Sequence, residues 1–328
     1  MKSLNNTIYI AKQHIKGHYE SFFIRANHKT DPIAFWIRYT IFSPKNKNED
    51  TIAELWAVVF NKQTNKHYSL KSENQLKESS FSNTSFNVNI ADSILNDSAA
   101  KGEIKDLNNS IKWNLKIKCD NPELYLLPNK YYFISFPKAK SLVPKPLARF
   151  TGKIIINNSD ELIIDNWLGS LNHNWGSKHT DKYAWGQIAG FDNNEDTFLE
   201  IATAQIKLGL VYSPKINIAV IRHNKKEYLF NSLIRSIINH ASYNYFTWTF
   251  ELNNGSERLL GTIKADKNCF VALNYYNPIG GNKTCLNTKI ASADINLILQ
   301  NGERISLLSK NRAAFEILTD DDSHGVKL

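Results

Sequence analysis

The sequence predicts an all-β fold: two antiparallel β-barrels or sandwiches packed together, with little helix. Aromatic residues make up 12% of the 328 residues and methionine occurs once, a bias that favours strands over helices. Short runs of alternating side chains recur along the chain, separated by turns rich in Asn and Gly. Residues 231–239 are the clearest helix candidate.

The first half of the chain contains a predicted hairpin. Its second strand-like run, AFWIRYTIFS, places Trp36 and Arg38 on one face, and its third, AELWAVVFN, places Glu54 and Trp56 on one face. A Pro/Asn/Lys loop joins the two runs. Pairing could bring Arg38 near Glu54, as a surface ion pair or as an inward-facing pair between the tryptophans. The strand-like runs are 18–26, 34–43, 53–61, 86–90, 111–118 and 131–136.

A Pro-rich segment separates the two halves. PKAKSLVPKPLAR contains three prolines within ten residues, which interrupt a central strand or helix. We therefore predict an N-terminal β-domain at 1–137, a linker at 138–147, a C-terminal β-domain at 148–318 and a polar tail at 319–328. The strand-like runs of the second half are 148–156, 161–167, 183–191, 197–207, 216–223, 243–252, 259–265, 270–276, 289–299 and 303–308.

The charge and the cysteine content limit the partners and metal sites that the sequence predicts. The formal net charge is +9, but the lysines are spread singly and no nucleic-acid-binding motif accompanies them, so nucleic acid is not predicted as a partner. A transient contact with a membrane surface stays open. The spacing of Cys119, Cys269 and Cys285 fits no zinc module and favours reduced thiols. Neither an apolar membrane helix nor a signal peptide is recognisable, so we expect a cytoplasmic protein of undetermined oligomeric state.

Residues 171–191 combine large rings with hydrogen-bonding side chains, a mixture typical of a binding pocket. We expect a loop at 172–181 that leads into a strand. Alternation along this strand places Tyr183, Trp185 and Gln187 on one face and small residues on the other. The bulky face is predicted to line a barrel interior that binds a lipophilic ligand. The alternative is that these rings fill a core.

The candidate catalytic residues are His173, Glu200 and Glu54. Glu200 shares a strand face with apolar residues, and burial would raise its pKa and allow it to donate a proton. It could equally point outward at a strand edge. His173 and His179 have no third partner at a metal-binding spacing, so no metal is predicted. No cofactor-binding motif is present, and no cofactor is predicted.

Several motifs, in this order along the chain, resemble a group of bacterial proteins related to tocopherol cyclase and carotenoid hydratase (hydroxyneurosporene synthase). The resemblance covers roughly residues 17–300. Likeness to the enzymes themselves is narrower and rests on an Asn-Trp-Gly run followed by an aromatic strand. The motifs are GHYESFFIRANH (17–28), FWIRYTIFSP (35–44), PKAKSLVPKPLARF (137–150), NHNWG (172–176), YAWGQ (183–187), YNP (276–278) and KTCLNTK (283–289).

The resemblance implies two lipocalin-like barrels with a lipophilic pocket. It also implies a cofactor-free cyclase or hydratase that protonates an isoprenoid-like alkene, with water or a hydroxyl capturing the cation. It identifies no catalytic acid; His173, Glu54, Glu200 or Asp165 could supply the proton. The alternatives are a non-catalytic carrier, and a scaffold whose own side chains leave less than about 300 Å³ open. The residues expected to contact a hydrophobic ligand are Asn174, Trp175, His179, Tyr183, Trp185, Gln187, Trp36, Arg38 and Asn287.

Overall fold

Antiparallel strands make up most of the protein. The computed structural model describes residues 4–9 and 15–327. Its content of 63% strand and 6% helix confirms the predicted all-β fold. The helix α1 spans Leu233–Ile238, inside the predicted 231–239, and short 3-10 helices lie at Asn48–Asp50, Leu76–Glu78, Asn129–Tyr132 and Lys267–Cys269. The strands are β1 His18–Asn27, β2 Ile33–Ser43, β3 Ile52–Asn61, β4 Tyr68–Gln75, β5 Ser79–Phe81, β6 Asn87–Ile90, β7 Ser93–Asn96, β8 Ala99–Lys105, β9 Ser110–Lys118, β10 Leu124–Tyr125, β11 Ala139–Ile156, β12 Asp160–Gly176, β13 Lys182–Phe191, β14 Asn194–Gln205, β15 Lys207–Leu208, β16 Val211–Tyr212, β17 Ile216–His223, β18 Lys226–Phe230, β19 His240–Asn244, β20 Thr247–Asn253, β21 Arg258–Lys264, β22 Val271–Tyr276, β23 Asn282–Ile298 and β24 Arg304–Thr319.

The first sheet is built from the strands between His18 and Gly176. Its order is β4-β3-β2-β1-β12-β11-β9-β8-β7-β6-β5, with β10 beside β11. Strands β3 and β4 approach β8, so the sheet curls around an apolar core and forms a nearly closed barrel. Alternate residues of β2, such as Phe35 and Ile37, enter this core.

The second sheet contains most of the strands from Lys182 onward. Its order is β18-β17-β14-β13-β24-β23-β21-β20-β19, with β22 beside β23. Its own core includes Ile188, Leu199 and Phe315 from the central strands β13, β14 and β24. Strands β15 and β16 form a separate two-stranded ribbon.

The predicted linker at 138–147 is wrong, because this segment belongs to β11 and pairs with β12. The register shifts before and after Pro146, so the proline-containing backbone is accommodated by bulges. Strand β9 pairs only with residues 149–156, so the proline-rich part of β11 gives up few ladder hydrogen bonds. The first sheet therefore continues to Gly176, and the chain crosses to the second sheet at 177–181.

Three further segments differ from expectation. Residues 131–136, predicted as a strand, complete a 3-10 helix and continue as irregular chain. Residues 172–176, predicted as loop, form the end of β12; polar side chains on both strand faces conceal the alternation. The polar tail packs on the second sheet, where Tyr245 Oη donates to Asp321 Oδ2 at 2.6 Å and His324 is buried. Residue 328 lies outside the described residues.

The two sheets pack against each other through their outer faces. Phe23 and Trp36 of the first sheet share an apolar cluster with Trp185 and Ala314 of the second. Because β2 is buried on both faces, both of its alternating sets are largely apolar. Among the described residues, no helix is long and apolar enough to cross a membrane.

Candidate functional site

A cavity of about 210 Å³ lies between the two sheets. Its lining residues come from β1 and β2 of the first sheet, from β13 and β14 of the second, and from the segment 126–141. The walls are mainly aromatic and aliphatic, with a small set of polar groups. The predicted location inside a barrel is therefore wrong, because the interior of the first barrel and the inner face of the second sheet are each filled by their own core. The polar lining residues include Arg38, Asn174, His179 and Glu316.

Strand β13 presents the bulky face that alternation predicts. Tyr183 and Trp185 line the cavity, opposite Ala204 and Ala202 of β14 in the antiparallel register. Small side chains beside large ones leave room between the sheets. On the other face, a Cβ atom at Gly186 would lie 3.0 Å or less from side-chain atoms of the second core, so this face packs closely as predicted.

Arg38 brings a buried positive charge to the cavity wall. Arg38 is buried, with only 7% of the residue exposed. Nη2 donates to Ser21 Oγ at 2.6 Å, and Cζ lies 4.3 Å from the centroid of the Tyr275 ring. Nε has no hydrogen-bond partner. Among the described residues no carboxylate forms an ion pair with Arg38, since the nearby Glu54 pairs with Lys71 at 2.5 Å instead.

The predicted hairpin is confirmed, with Arg38 opposite Trp56 and Thr40 opposite Glu54. Arg38 and Trp36 line the cavity, whereas Glu54 does not. Burial raises the pKa of Glu54, and the Lys71 ammonium opposes that rise. Glu54 is therefore a buried ion-pair partner of Lys71 that does not reach the cavity, which does not support its predicted role as an acid.

His179 lies on the same wall as Arg38. Its ring stacks on Tyr19, with ring centroids 4.0 Å apart. Burial, and then the charge of Arg38, lower the pKa of His179 to about 3. The imidazole is therefore neutral near pH 7, where it can orient a ligand by hydrogen bonding but cannot act as an imidazolium acid.

Glu316 of β24 is the carboxylate that reaches the cavity. Its Oε1 accepts hydrogen bonds from Lys289 Nζ at 2.7 Å and Asn287 Nδ2 at 2.9 Å. Lys289 is fully buried, and burial lowers its pKa. Its Nζ lies 5.6 Å from the ring centroid of Trp36 and 5.4 Å from that of Trp185. Glu316 thus reaches the cavity while its ion-pair partner, Lys289, lies behind two rings of the cavity wall.

Glu200 and Gln187 are placed behind the wall. Glu200 accepts from Trp185 Nε1 at 2.8 Å and from Gln187 Nε2 at 2.7 Å. Burial raises the pKa of Glu200 to about 7, against these hydrogen bonds and the charge of Arg25. Neither Glu200 nor Gln187 lines the cavity. Glu200 is buried and its pKa is raised, but it does not reach a ligand.

Gln187 also joins the two sheets. Its Oε1 accepts from Arg25 Nε at 2.8 Å and from Ser170 Oγ at 2.6 Å. Its Nε2 donates to Asn172 Oδ1 at 2.6 Å, and its carbonyl accepts from Arg25 Nη2 at 3.1 Å. Arg25, Ser170 and Asn172 belong to the first sheet, so this buried network fixes the relative position of the walls.

His173 and Trp175 lie on the opposite face of β12 from the cavity. His173 Nε2 is 2.8 Å from Glu20 Oε1, and its Nδ1 is 2.7 Å from the carbonyl of Leu4. Trp175 belongs to a separate apolar cluster. Asn174, which points the other way, lines the cavity and has an Oδ1 atom without a hydrogen-bond partner. His173 therefore holds the N-terminal segment against the first barrel.

The structure brings together half of the predicted site. The six predicted residues on the cavity are Asn174, His179, Tyr183, Trp185, Trp36 and Arg38; the six placed elsewhere are His173, Glu200, Glu54, Trp175, Gln187 and Asn287.

Sequence reasoning missed Tyr19, Phe23, Tyr275 and Glu316, which also line the cavity. A signal for Glu316 exists, because it is a lone carboxylate in the apolar run AAFEIL, the same pattern that singled out Glu200. Tyr19 and Phe23 alternate in β1, but nothing in the sequence reveals which face of β1 meets the second sheet.

The volume of the cavity is below the roughly 300–1,000 Å³ usual for ligand sites. A scaffold whose cavity is filled by its own side chains would show an equally small volume. The evidence for a bound ligand therefore comes from the polar groups of the wall. Within residues 4–9 and 15–327, no group of three or more His, Cys, Asp or Glu side chains could hold a metal ion.

Sequence comparison and structural comparison give different results. No protein-family model and no curated protein sequence matches the chain. Among solved structures, kievitone hydratase from Nectria haematococca matches with a TM-score of 0.60 at 10% identity, over 98% of this chain and 96% of that one. CghA matches with a TM-score of 0.60 at 11% identity, over 96% and 93%. A candidate AttH protein from Nitrosomonas europaea matches with a TM-score of 0.57 at 12% identity, over 92% and 91%.

At these identities the likeness establishes the fold. The chain has a lipocalin-like fold of two packed β-structures, which confirms the predicted fold class. One matching structure is a kievitone hydratase and another is CghA. Each match extends over nearly the whole of this chain and of the other chain. The finer relation to tocopherol cyclase and carotenoid hydratase stays a prediction.

Proposed function

We propose that the cavity between the sheets binds an isoprenoid-like small molecule with an acidic oxygen, and that the protein is a cofactor-free hydratase or cyclase acting on it. Arg38 is the observation that carries this proposal. The buried Nε of Arg38 has no hydrogen-bond partner, and no carboxylate among the described residues forms an ion pair with the guanidinium, so a ligand oxygen can occupy these donors. A carboxylate or an acidic phenol matches the donor geometry of a guanidinium.

The charge of Arg38 also limits the chemistry. A carbocation formed next to the Arg38 guanidinium would be repelled, because the surroundings are largely apolar and screen poorly. A ligand oxygen bound to Arg38 would remove that repulsion. The faces of Trp36 and Trp185 could then stabilise a developing cation on the apolar part of the ligand.

Glu316 is the best-placed acid for the proposed reaction. In its protonated form it would transfer a proton to one alkene carbon and leave the cation on the other. Water, in a hydration, or a substrate hydroxyl, in a cyclisation, would bond to that carbon and return a proton to the carboxylate. Lys289, whose pKa burial lowers, would share its proton with Glu316 between turnovers.

The second candidate function is a non-catalytic carrier of the same ligand. The three acids predicted from the sequence do not line the cavity, which is what a carrier would show. In a carrier, Arg38 would hold the acidic oxygen and the Glu316–Lys289 pair would be structural.

Ligand binding can be tested with an isoprenoid carboxylic acid and its methyl ester, followed by the fluorescence of the cavity tryptophans. We expect the acid to bind more tightly than the ester. Arg38→Met should weaken binding of the acid by about 30-fold or more and leave the ester unaffected. Arg258→Met, at an exposed ion pair, is the matched control. Equal affinity of acid and ester for the unmodified protein would refute the role of Arg38.

Catalysis is tested separately with Glu316→Gln. We expect this variant to bind the acid normally and to form no hydrated or cyclised product, measured by mass spectrometry. If it fails to fold because Lys289 is left unpaired, the double variant Glu316→Gln/Lys289→Met removes the buried charges together. Binding by the unmodified protein without product from any unsaturated acid would establish the carrier.

A further inference from the structure

Three segments around the opening of the cavity expose apolar side chains. These mouth segments are residues 130–140, 205–215 and 231–239, and each contributes lining residues to the cavity. Tyr131 and Phe136 come from the first, Ile206 from the second and Leu233 from the third. Phe136 and Leu233 line the cavity and are also exposed, so the cavity reaches the surface at these segments, which are far apart in sequence.

The mouth segments hold a disproportionate share of the exposed apolar surface. Seventeen large hydrophobic residues are exposed in the described part of the chain, and ten of them lie in these segments. Phe133 is 66% exposed, Leu210 is 98% exposed and Ile234 is 75% exposed. Scattered exposed hydrophobics need no explanation, but a cluster on one opening marks an interaction surface. The ten are Phe133, Ile134, Phe136, Leu208, Leu210, Val211, Leu233, Ile234, Ile237 and Ile238.

The apolar side chains of helix α1 are exposed, unlike those of a helix that packs on a soluble core. Its buried residue is Ser236, whereas Leu233, Ile234, Ile237 and Ile238 are exposed. An amphipathic helix in water normally turns its apolar stripe inward. The outward stripe of α1 indicates that it meets an apolar phase.

The charge of the mouth segments has a single sign. Together they contain six basic residues and no Asp or Glu. Elsewhere in the chain acidic and basic residues are interspersed, since the whole sequence has 31 acidic against 40 basic residues. Exposed aliphatic and aromatic side chains among basic residues are the pattern of a surface that lies on an anionic bilayer. The six basic residues are Lys130, Lys138, Lys140, Lys207, Lys215 and Arg235.

We propose that the mouth segments dock the protein on an anionic membrane surface, so that the cavity opens toward the lipid. The apolar side chains enter the boundary between headgroups and acyl chains, and the basic side chains pair with lipid phosphates. An apolar ligand can then pass between bilayer and cavity without crossing water. The docking surface is independent of the reaction proposed above, because it is equally required of an enzyme and of a carrier that exchange ligand with a membrane.

Vesicle flotation with the full chain tests this proposal. Vesicles of phosphatidylcholine alone are compared with vesicles of equal parts phosphatidylcholine and phosphatidylglycerol. We expect binding to the mixed vesicles, weaker binding to the neutral ones, and a decrease as salt is added. The variant Phe133→Glu/Leu210→Glu/Ile234→Glu should lose at least about tenfold in affinity for the mixed vesicles. No binding by the unmodified protein would refute the proposal.

A matched control separates the surface from general charge. Leu107→Glu/Ile163→Glu/Leu308→Glu adds the same charge at exposed apolar positions outside the mouth segments. It should bind the mixed vesicles nearly as well as the unmodified protein. Equal losses in both triple variants would overturn the proposal. So would a dimer in analytical ultracentrifugation that the mouth variant abolishes while vesicle binding is unaffected, since the surface would then serve a second copy of the chain.

Discussion

Buried charged residues lie both on the cavity wall and in the layer behind it. Arg38 and Glu316 reach the cavity, whereas Glu200 lies behind Trp185. Glu200 has two hydrogen-bond donors yet keeps a raised pKa, because burial outweighs the donors and the charge of Arg25. Burial and a perturbed pKa are therefore insufficient to identify an acid at this site; access to the ligand decides.

Glu200 makes a prediction about stability and pH. Its pKa is about 7 in the folded protein and 4.5 ordinarily, so between these values the folded state binds more protons than the unfolded state. The stabilising contribution is complete below pH 4.5 and is lost as pH rises through 7, by about 3 kcal/mol. Glu200→Gln should remove this slope in the free energy of unfolding, measured by urea titration from pH 4.5 to 8. Glu78→Gln, at an exposed position, should keep it.

Strand β12 is the element on which the first sheet and the site both depend. It pairs with β1 on one side and β11 on the other. It presents Asn174 to the cavity and His173 to Glu20. Close approach to β1 requires Gly169, where an added Cβ would lie 1.8 Å from the carbonyl oxygen of Arg25.

Gly169→Ala should therefore push β12 away from β1. We expect a loss of about 3 kcal/mol or more in the free energy of unfolding, because backbone atoms cannot yield as a flexible side chain can. Gly302→Ala, where a Cβ would meet open space, should lose only about 1 kcal/mol through its positive φ. Urea midpoints compare the two, and equal midpoints would show that β12 has room to relax.

Individual strands could be predicted from the sequence where one face differs clearly from the other. The alternation of Tyr183 and Trp185 against Gly186 identified both faces of β13 correctly. Alternation did not identify the end of β12 as a strand, because polar side chains occur on both of its faces. It also failed for β11, because prolines were accommodated in bulges rather than in a linker.

Polar contacts that the sequence could not reveal join the two sheets alongside the apolar cluster between them. Arg25 and Gln187 are 162 positions apart, and their pairing depends on which outer faces of the two sheets meet. Four of the cavity residues, Trp36, Arg38, Tyr183 and Trp185, could be predicted because they lie on strands with clear alternation. The other wall, with Tyr19 and Tyr275, depends on that packing.

Removing Arg25 should loosen the two sheets from each other. Its guanidinium also donates to Asn27 Oδ1 at 2.7 Å and to the carbonyl of Arg312 at 3.3 Å. Arg25→Met removes the donor to Asn27 Oδ1 and one of the two donors to Gln187 Oε1. We expect a loss of about 3–5 kcal/mol with two separate transitions in calorimetry. Arg25→Lys should not restore a single transition, because an ammonium cannot reproduce the fork of donors.

Arg258→Met, which removes an exposed ion pair with Glu251, is the control and should melt as the unmodified protein does. A single cooperative transition in Arg25→Met would show that apolar packing alone unites the sheets.

The two alanines opposite Tyr183 and Trp185 have a further consequence. Ala202 and Ala204 line the cavity on a strand whose other face belongs to the second core. A larger aliphatic residue at either position would shorten the space for a ligand without disturbing that core. If the cavity binds a ligand as proposed, one or two substitutions on β14 would therefore change the length of ligand that fits, while both cores and Arg38 stay as they are.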